Sequence, residues 1–298
     1  MKLFTSILTI LILTACSQEN STKPFDLQGH RGARGLLPEN TIPGFLYAID
    51  LGVDTIEFDV VVTKDRHLLI SHEPWFNHHI STKPDGTPVT EEEQMSTNIF
   101  EMTVEETRKY DVGIRGNSNF PDQEPIQVQK PLMADAIRKM ENYVIENNLK
   151  PVAYNIETKS YPELYSVLAP QPKEFATLLF EELSVLNEEF NLFDRIIIQS
   201  FDPATLIEFK KLNSDIDQAI LVQSDEPMEN FIKSLGYIPE IWSPNYNLVT
   251  SETVQKAHKL GMKVIPWTVN EIDEMRNQLT LGVDGFITDY PNRAADFK

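Results

Sequence analysis

Four short stretches of this chain carry side chains able to act on a charged substrate. They are QGHRGARGLLPENT (28–41), EFDVVVTKD (57–65), LLISHEP (68–74) and NIETK (155–159). Side chains two apart on a strand share a face, so Glu57 and Asp59 point together, as do Asn155, Glu157 and Lys159. Carboxylates inside apolar strands are costly to bury unpaired, so something positive must lie between Glu57, Asp59 and Glu157. All three offer only oxygen, which suits a hard divalent ion, Ca2+ or Mg2+. Salt bridges to Arg31 and Lys159 without a metal would meet the same need. His30 and His72 each stand at the end of a strand, on either side of the acidic pair in sequence. Two such imidazoles suit general base and general acid work near neutral pH, although a lone strand-end histidine is more often structural. The Arg31 guanidinium matches a phosphate or a carboxylate. Trp267, on a late strand, walls a substrate pocket or packs in the core. His67, His78, His79 and His258 read as surface residues. Ser200 and Cys16 form no nucleophilic triad, and neither HExxH nor a phosphate-binding P-loop occurs.

The elements that must position these groups follow from periodicity. A strand over 25–31 leads to a helix over 39–51, with apolar residues at 42, 45, 46 and 49, Pro43 in the first turn and Gly52 at the C-cap. A buried strand follows over 55–62, then another at 68–71. The turn between them is too short for a parallel crossover, so the two form a hairpin. Residues 75–130 are irregular and polar, the mark of an excursion that carries function or covers a site, with one helix expected at 102–110. From there helices (132–147, 172–187, 203–212, 226–235, 252–260, 271–281) alternate with strands (152–158, 195–200, 219–222, 240–243, 263–269, 285–288). Nine candidate strands, one of them the extra hairpin arm, predict a (β/α)8 TIM barrel with a long insertion after the early hairpin. LGVD occurs at 51–54 and 281–284, with LGMK at 260–263, each between a helix and a strand. Aligning the two LGVD copies sets Asp289 level with Asp59, near the strand ends that form a barrel's catalytic face.

Composition is that of a globular protein, 41% apolar and 24% charged. The net charge of −19 argues against nucleic acid as a partner. The same field repels an anionic substrate, so an anion site must be locally positive. Residues 1–15 are a short basic start and an apolar run too short to span a bilayer, and the run leads into LTAC at 13–16. This resembles a bacterial lipobox and predicts a lipoprotein signal peptide (1–15), lipidation of Cys16, a polar tether over 16–24 and one domain over 25–298. The expected location is the cell envelope, anchored by lipid on the extracytoplasmic or periplasmic side. An ordinary signal peptide with a chance cysteine is the alternative.

Together with IIIQSFD (196–202), KVIPWTVN (263–270) and GVDGFITDYP (282–291), the four stretches resemble the glycerophosphodiester phosphodiesterase family, in family order from about residue 26 to 293. The resemblance implies His30 and His72 as the catalytic pair, Glu57, Asp59 and Glu157 as ligands of a divalent ion, and Arg31 and Lys159 as basic groups near the phosphate. It implies hydrolysis of glycerophosphodiesters to glycerol 3-phosphate and an alcohol, through a cyclic phosphate formed by the glycerol 2-hydroxyl. Glu73, where aspartate is usual, and Arg66, where glycine is common, are departures that touch no expected ligand. Competing readings are a related enzyme acting on lysolipids or glycerol-phosphate polymers, and a non-catalytic lipoprotein binding a phosphorylated ligand. Residues 75–130 are expected to supply the pocket wall.

Overall fold

The computed structural model describes residues 24–297. The signal peptide, Cys16 and nearly all of the tether lie outside the described residues. The strands are β1 (Asp26–Gly29), β2 (Thr55–Val62), β3 (Leu68–Ile70), β4 (Ala153–Thr158), β5 (Ile196–Ser200), β6 (Asp217–Val222), β7 (Ile241–Pro244), β8 (Lys263–Val264) and β9 (Gly285–Thr288). The helices are α1 (Ile42–Asp50), α2 (Val104–Thr107), α3 (Met133–Glu146), α4 (Pro172–Phe190), α5 (Pro203–Leu212), α6 (Met228–Leu235), α7 (Ser251–Lys259) and α8 (Ile272–Leu281).

Eight strands pair in parallel in the order β8-β7-β6-β5-β4-β2-β1-β9, and β3 pairs antiparallel with β2 as the extra arm. Backbone bonds bridge the remaining seam: Asp284 N to Val264 O, Ile287 N to Pro266 O and Val269 N to Ile287 O, each 2.9 Å. The result is a nearly closed TIM barrel with helices between its strands. Every residue of β2 is buried, as expected of a strand covered on both faces. Phe58 faces outward and packs on Phe45 of α1, with ring centres 5.7 Å apart. The alternation then turns Glu57 and Asp59 to the barrel interior. Ile197, Ala219, Ile241, Ile265 and Ile287 fill part of that interior with apolar side chains.

Four expectations are corrected. The helix expected from residue 39 starts at Ile42, because Thr41 is its N-cap and accepts a bond from Gly44 N; this leaves Glu39 and Asn40 in a loop. The strand expected over 263–269 is regular only at Lys263–Val264, since Pro266 has no amide to donate to a ladder. The helix expected at 102–110 shrinks to α2, opened by a capping box between Thr103 and Glu106. Beyond it, Tyr110 stacks on Phe76 with ring centres 4.0 Å apart. Helix α4 runs on to Phe190 and ends where Asn191 takes a left-handed conformation.

The excursion over 75–130 has a core of its own. Phe76, Ile80, Val89, Ile99 and Val112 pack with Val61 and Leu69 of the hairpin. The LGVD repeat serves the opposite end of the barrel. Asp54 Oδ2 accepts Leu27 N at 3.1 Å and Asp284 Oδ2 accepts Val264 N at 2.9 Å, so each aspartate caps the start of a neighbouring strand.

Candidate active site

At the C-terminal ends of the strands lies a cavity of about 220 Å3 whose lining includes His30, His72, Glu57, Glu157, Arg31 and Trp267. Residues distant in sequence therefore converge where a barrel places its site. A larger recess of about 500 Å3 lies at the other end, lined by Pro24, Phe25, Asp54 and Lys263 among others, and holds none of these groups. Lys150 pairs there with Asp54 at 3.0 Å and Arg195 with Glu141 at 2.8 Å, and that end of a barrel serves stability.

Oxygens of Glu57, Asp59 and Glu157 lie within 4.8 Å of one another, and all three residues are buried. Glu57 accepts Arg31 N at 2.9 Å and Gln199 Nε2 at 2.8 Å. Asp59 accepts Asn40 Nδ2 at 2.8 Å on one oxygen, while its buried Oδ1 has no hydrogen-bond partner. Glu157 accepts Lys159 Nζ at 2.6 Å. Burial, reinforced by the charges of Asp59 and Glu157, pushes Glu57 well above the usual carboxylate range. Burial likewise pushes Glu157 up to about 7, overriding Lys159 with help from Asp59. Asp59 goes the other way: against burial, His72, Arg31 and Lys159 hold it well below that range. Six carboxylates (Glu39, Glu57, Asp59, Glu73, Glu157, Asp289) crowd four cations (Arg31, Arg34, Lys130, Lys159). The expected salt bridges exist, yet the carboxylates outnumber the cations by two, and Asp59 Oδ1, 3.7 Å from Lys159 Nζ, accepts no hydrogen bond. These residues fit a divalent cation.

Both imidazoles are backed by a carboxylate. His30 Nδ1 lies 2.6 Å from Asp289 Oδ1, and His72 Nδ1 lies 2.8 Å from Glu73 Oε1. Against burial, the charge and hydrogen bond of His30 hold Asp289 down to about 2. An ionised acceptor keeps the proton on Nδ1 and leaves Nε2 free. Burial, aided by Arg31 and Arg34, lowers His30 below its ordinary value despite Asp289. Burial, with Arg31 and Lys159, lowers His72, opposed by Asp59 and Glu73. Asn270 holds the far oxygen of Asp289 at 2.8 Å.

Arg31 and Lys159 are both present at the site but buried against carboxylates. Arg31 Nη1 donates to Glu39 Oε1 at 2.6 Å, and its Nε lies 3.4 Å from Asp59. Trp267 is a pocket wall: half-buried, it donates Nε1 to Ser243 O at 2.9 Å and meets Phe201 edge-on at 5.5 Å. Leu221 and Ile287 extend that apolar side. His67 and His79 are exposed, and neither they nor His78 and His258 line the pocket.

Sequence reasoning missed Glu39, Asn40, Arg34, Gln199 and Phe201. It saw Asp289 at the right level without a partner, and it set Glu73 aside although Glu73 holds His72. The expectation that residues 75–130 form the pocket wall is not met, since none of them lines the cavity. They brace it from behind: Lys130 donates to Ser71 Oγ at 2.7 Å beside His72, and Gln123 donates to Arg34 O at 2.7 Å.

Comparison with known proteins agrees with this geometry. A glycerophosphodiester phosphodiesterase of Caldanaerobacter subterraneus subsp. tengcongensis is 30% identical over 264 residues, covering 88% of this chain and 93% of that one. A solved structure from Silicibacter pomeroyi, assigned as a glycerophosphoryl diester phosphodiesterase, superposes with a TM-score of 0.80 at 29% identity, covering 92% and 93% of the two chains. An Oleispira antarctica phosphodiesterase, solved with the product sn-glycerol-3-phosphate, shares the fold at 19% identity with a TM-score of 0.70, covering 91% of this chain and 96% of that one. The profile of the glycerophosphoryl diester phosphodiesterase family matches residues 30–293, from the first site histidine to just beyond Asp289. A barrel matched over nearly its whole length by phosphodiesterases is an enzyme for phosphoric diesters, and the chain belongs to the glycerophosphoryl diester phosphodiesterase family.

Proposed function

We propose that the protein hydrolyses glycerophosphodiesters to glycerol 3-phosphate and an alcohol, with a divalent cation held by Glu57, Asp59 and Glu157. The observation that carries the reading is the pairing of two carboxylate-backed imidazoles with three buried carboxylates in one cavity. A cation bound there, Ca2+ in preference to Mg2+, supplies charge stabilisation for the phosphodiester and for the charge that develops on it. His30, neutral at pH 7 because burial lowers its pKa, takes the proton of the attacking glycerol 2-hydroxyl at Nε2. His72, in the protonated form that Asp59 and Glu73 favour against burial, gives a proton to the departing alcohol as the P–O bond breaks. Water then opens the cyclic phosphate, with the two imidazoles exchanging roles, which restores both protonation states. Arg31 and Lys159 help to hold Asp59 ionised against burial, and a bound cation would favour the ionised forms of Glu57 and Glu157. Support for glycerol 3-phosphate as the product also comes from the Oleispira neighbour.

The apolar wall of Phe201, Leu221, Trp267 and Ile287 favours a second reading, cleavage of lysolipids by the same chemistry. The LTAC motif supports lipidation at Cys16 and a place in a bacterial envelope, outside the cytoplasm.

The test is release of glycerol 3-phosphate from glycerophosphocholine and, separately, of lysophosphatidic acid from lysophosphatidylcholine. Each is assayed after EDTA and then with Ca2+ or Mg2+ restored. Loss on chelation and return with Ca2+ is the expected result. A folded protein inert on both with either ion would leave a phospho-ligand-binding lipoprotein as the better account.

A further inference from the structure

The pocket contains a cation that neither the motif reading nor the proposed chemistry uses. Arg34 lines the cavity beside His30. Its Nε donates to Glu39 Oε2 at 2.6 Å. Its guanidinium lies over the Phe120 ring, 4.6 Å from the ring centre. Its Nη1 is 4.0 Å from Asp289 Oδ1, beyond hydrogen-bond reach, and among the described residues neither Nη atom has a hydrogen-bond partner. The side chain is 22% exposed, against 7% for Arg31 and 6% for Lys159. The two basic groups expected from the motifs to meet phosphate are thus turned toward Glu39, Asp59 and Glu157. The guanidinium with donors to spare is the third one.

Arg34 is also held in place. Glu39 bridges Arg31 and Arg34, one oxygen to each. Against burial, Arg34 and Arg31 keep Glu39 well below the usual carboxylate range, so the bridge is ionic. The excursion supports the other side: Phe120 lies beneath the guanidinium and Gln123 donates to Arg34 O at 2.7 Å. Contact between excursion and site loop is close enough that a Cβ on Gly113 would stand 2.8 Å from Pro38 Cγ and 2.3 Å from Ile126 O. Ordering a long side chain costs rotamer entropy, and here packing has already met much of that cost before any ligand arrives.

We infer that Arg34 is a substrate-binding residue, presenting its Nη donors to the phosphate oxyanion of the diester and of the glycerol 3-phosphate product. Phe120 and Glu39 are its positioning residues. The inference rests on the phosphodiesterase reading and extends it: it names the group that binds the anion, and it gives residues 75–130 a role in affinity without lining the pocket. A planar fork with a stacked face and one edge anchored suits an anion's paired oxygens.

The experiment compares wild type with Arg34→Gln, Arg34→Lys and Phe120→Leu. Steady-state KM and kcat are read on glycerophosphocholine at saturating Ca2+, and Kd for glycerol 3-phosphate is read by calorimetry. Arg34→Gln should raise KM and the product Kd together, by about 10- to 100-fold for a lost charge-assisted contact, with kcat changed far less. Arg34→Lys should recover part of that loss and Phe120→Leu should fall between. The thermal shift produced by Ca2+ should be the same in all four proteins, which shows that the cation site has survived. An unchanged product Kd in Arg34→Gln, or a fall in kcat alone, would overturn the inference, since both mean that Arg34 acts only through Asp289 and His30. If wild type turns over no diester with either ion, the phosphodiesterase reading has failed; the product Kd then still decides whether Arg34 binds the anion.

Discussion

His72 and Glu73 are neighbours in sequence, His30 and Asp289 lie 259 positions apart, and each pair forms the same imidazole–carboxylate contact. Such a contact fixes a tautomer and sets a pKa. Asp289 raises the His30 pKa, while burial, Arg31 and Arg34 lower it. In Asp289→Asn the lowering influences stand alone, so the acid limb of the kcat/KM profile should move to lower pH. The plateau should fall by roughly 10²–10⁴-fold as the tautomer is lost. A limb that moves to higher pH would contradict the assignment. At Glu57 the expectation is a split between stability and cation response. Its carboxyl is pushed up by burial and by two like charges, so Glu57→Gln should leave the cation-free protein at least as stable as wild type. The Ca2+-induced rise in melting temperature should vanish; in wild type it should correspond to about 2.7 kcal/mol at a hundredfold excess over Kd. Differential scanning fluorimetry with and without Ca2+ reads both halves.

At the scale of elements, α1 and the excursion hold the site loops. Thr41 is fully buried, accepts Gly44 N at 3.3 Å and donates to Pro38 O at 2.6 Å. It therefore ends the loop carrying Glu39 and Asn40 and starts the helix at once. Thr41→Ala should cost about 1 kcal/mol in urea unfolding, and it should weaken the Ca2+ response because Asn40 no longer grips Asp59 as firmly. In the excursion, Phe76→Ala removes the ring that stacks on Tyr110 and lies under Lys130 Nζ, 5.4 Å from the ring centre. The cost expected for a fully buried phenylalanine is about 3–5 kcal/mol. A loss well under 1 kcal/mol would mean that the excursion is not packed as described.

At the scale of the molecule, charge and polarity of the barrel matter. A net charge of −19 surrounds a site that must attract phosphate. Salt screens that field over about 10 Å at 0.1 M. KM for an anionic diester such as glycerophosphoglycerol should therefore fall as ionic strength rises, while KM for zwitterionic glycerophosphocholine changes little. Pro24 and Phe25 lie at the barrel end opposite the catalytic cavity. A lipid on Cys16, with the eight residues after it spanning at most about 28 Å, would hold that far end toward the bilayer and the cavity away from it. Vesicle-bound protein should then cleave glycerophosphocholine in solution as fast as the lipid-free form and act poorly on lysolipid in its own membrane. Faster cleavage of the lysolipid would count against that orientation.

The chemistry of the strands was legible in the chain because strand geometry is local. Alternation alone put Glu57 with Asp59 and Glu157 with Lys159, and the short turn at 63–66 alone made β2 and β3 a hairpin. The repeated LGVD set Asp289 at the height of Asp59, since equal spacing from equal helix ends gives equal depth in a barrel. Which charges pair could not be read that way. Glu39 and Asn40 looked like the first turn of a helix until the Thr41 cap left them in the loop that meets Arg31 and Asp59. Arg31 and Lys159 suited phosphate and carboxylate alike in the sequence, and burial turned them to carboxylates. Gln199 and Phe201 sit on a strand end unremarkable in sequence and reach the site only because the barrel closes. Periodicity decides which face a residue takes. Only the closed barrel, by bringing those faces within a few ångströms in a medium poor in water, decides which group must neutralise which.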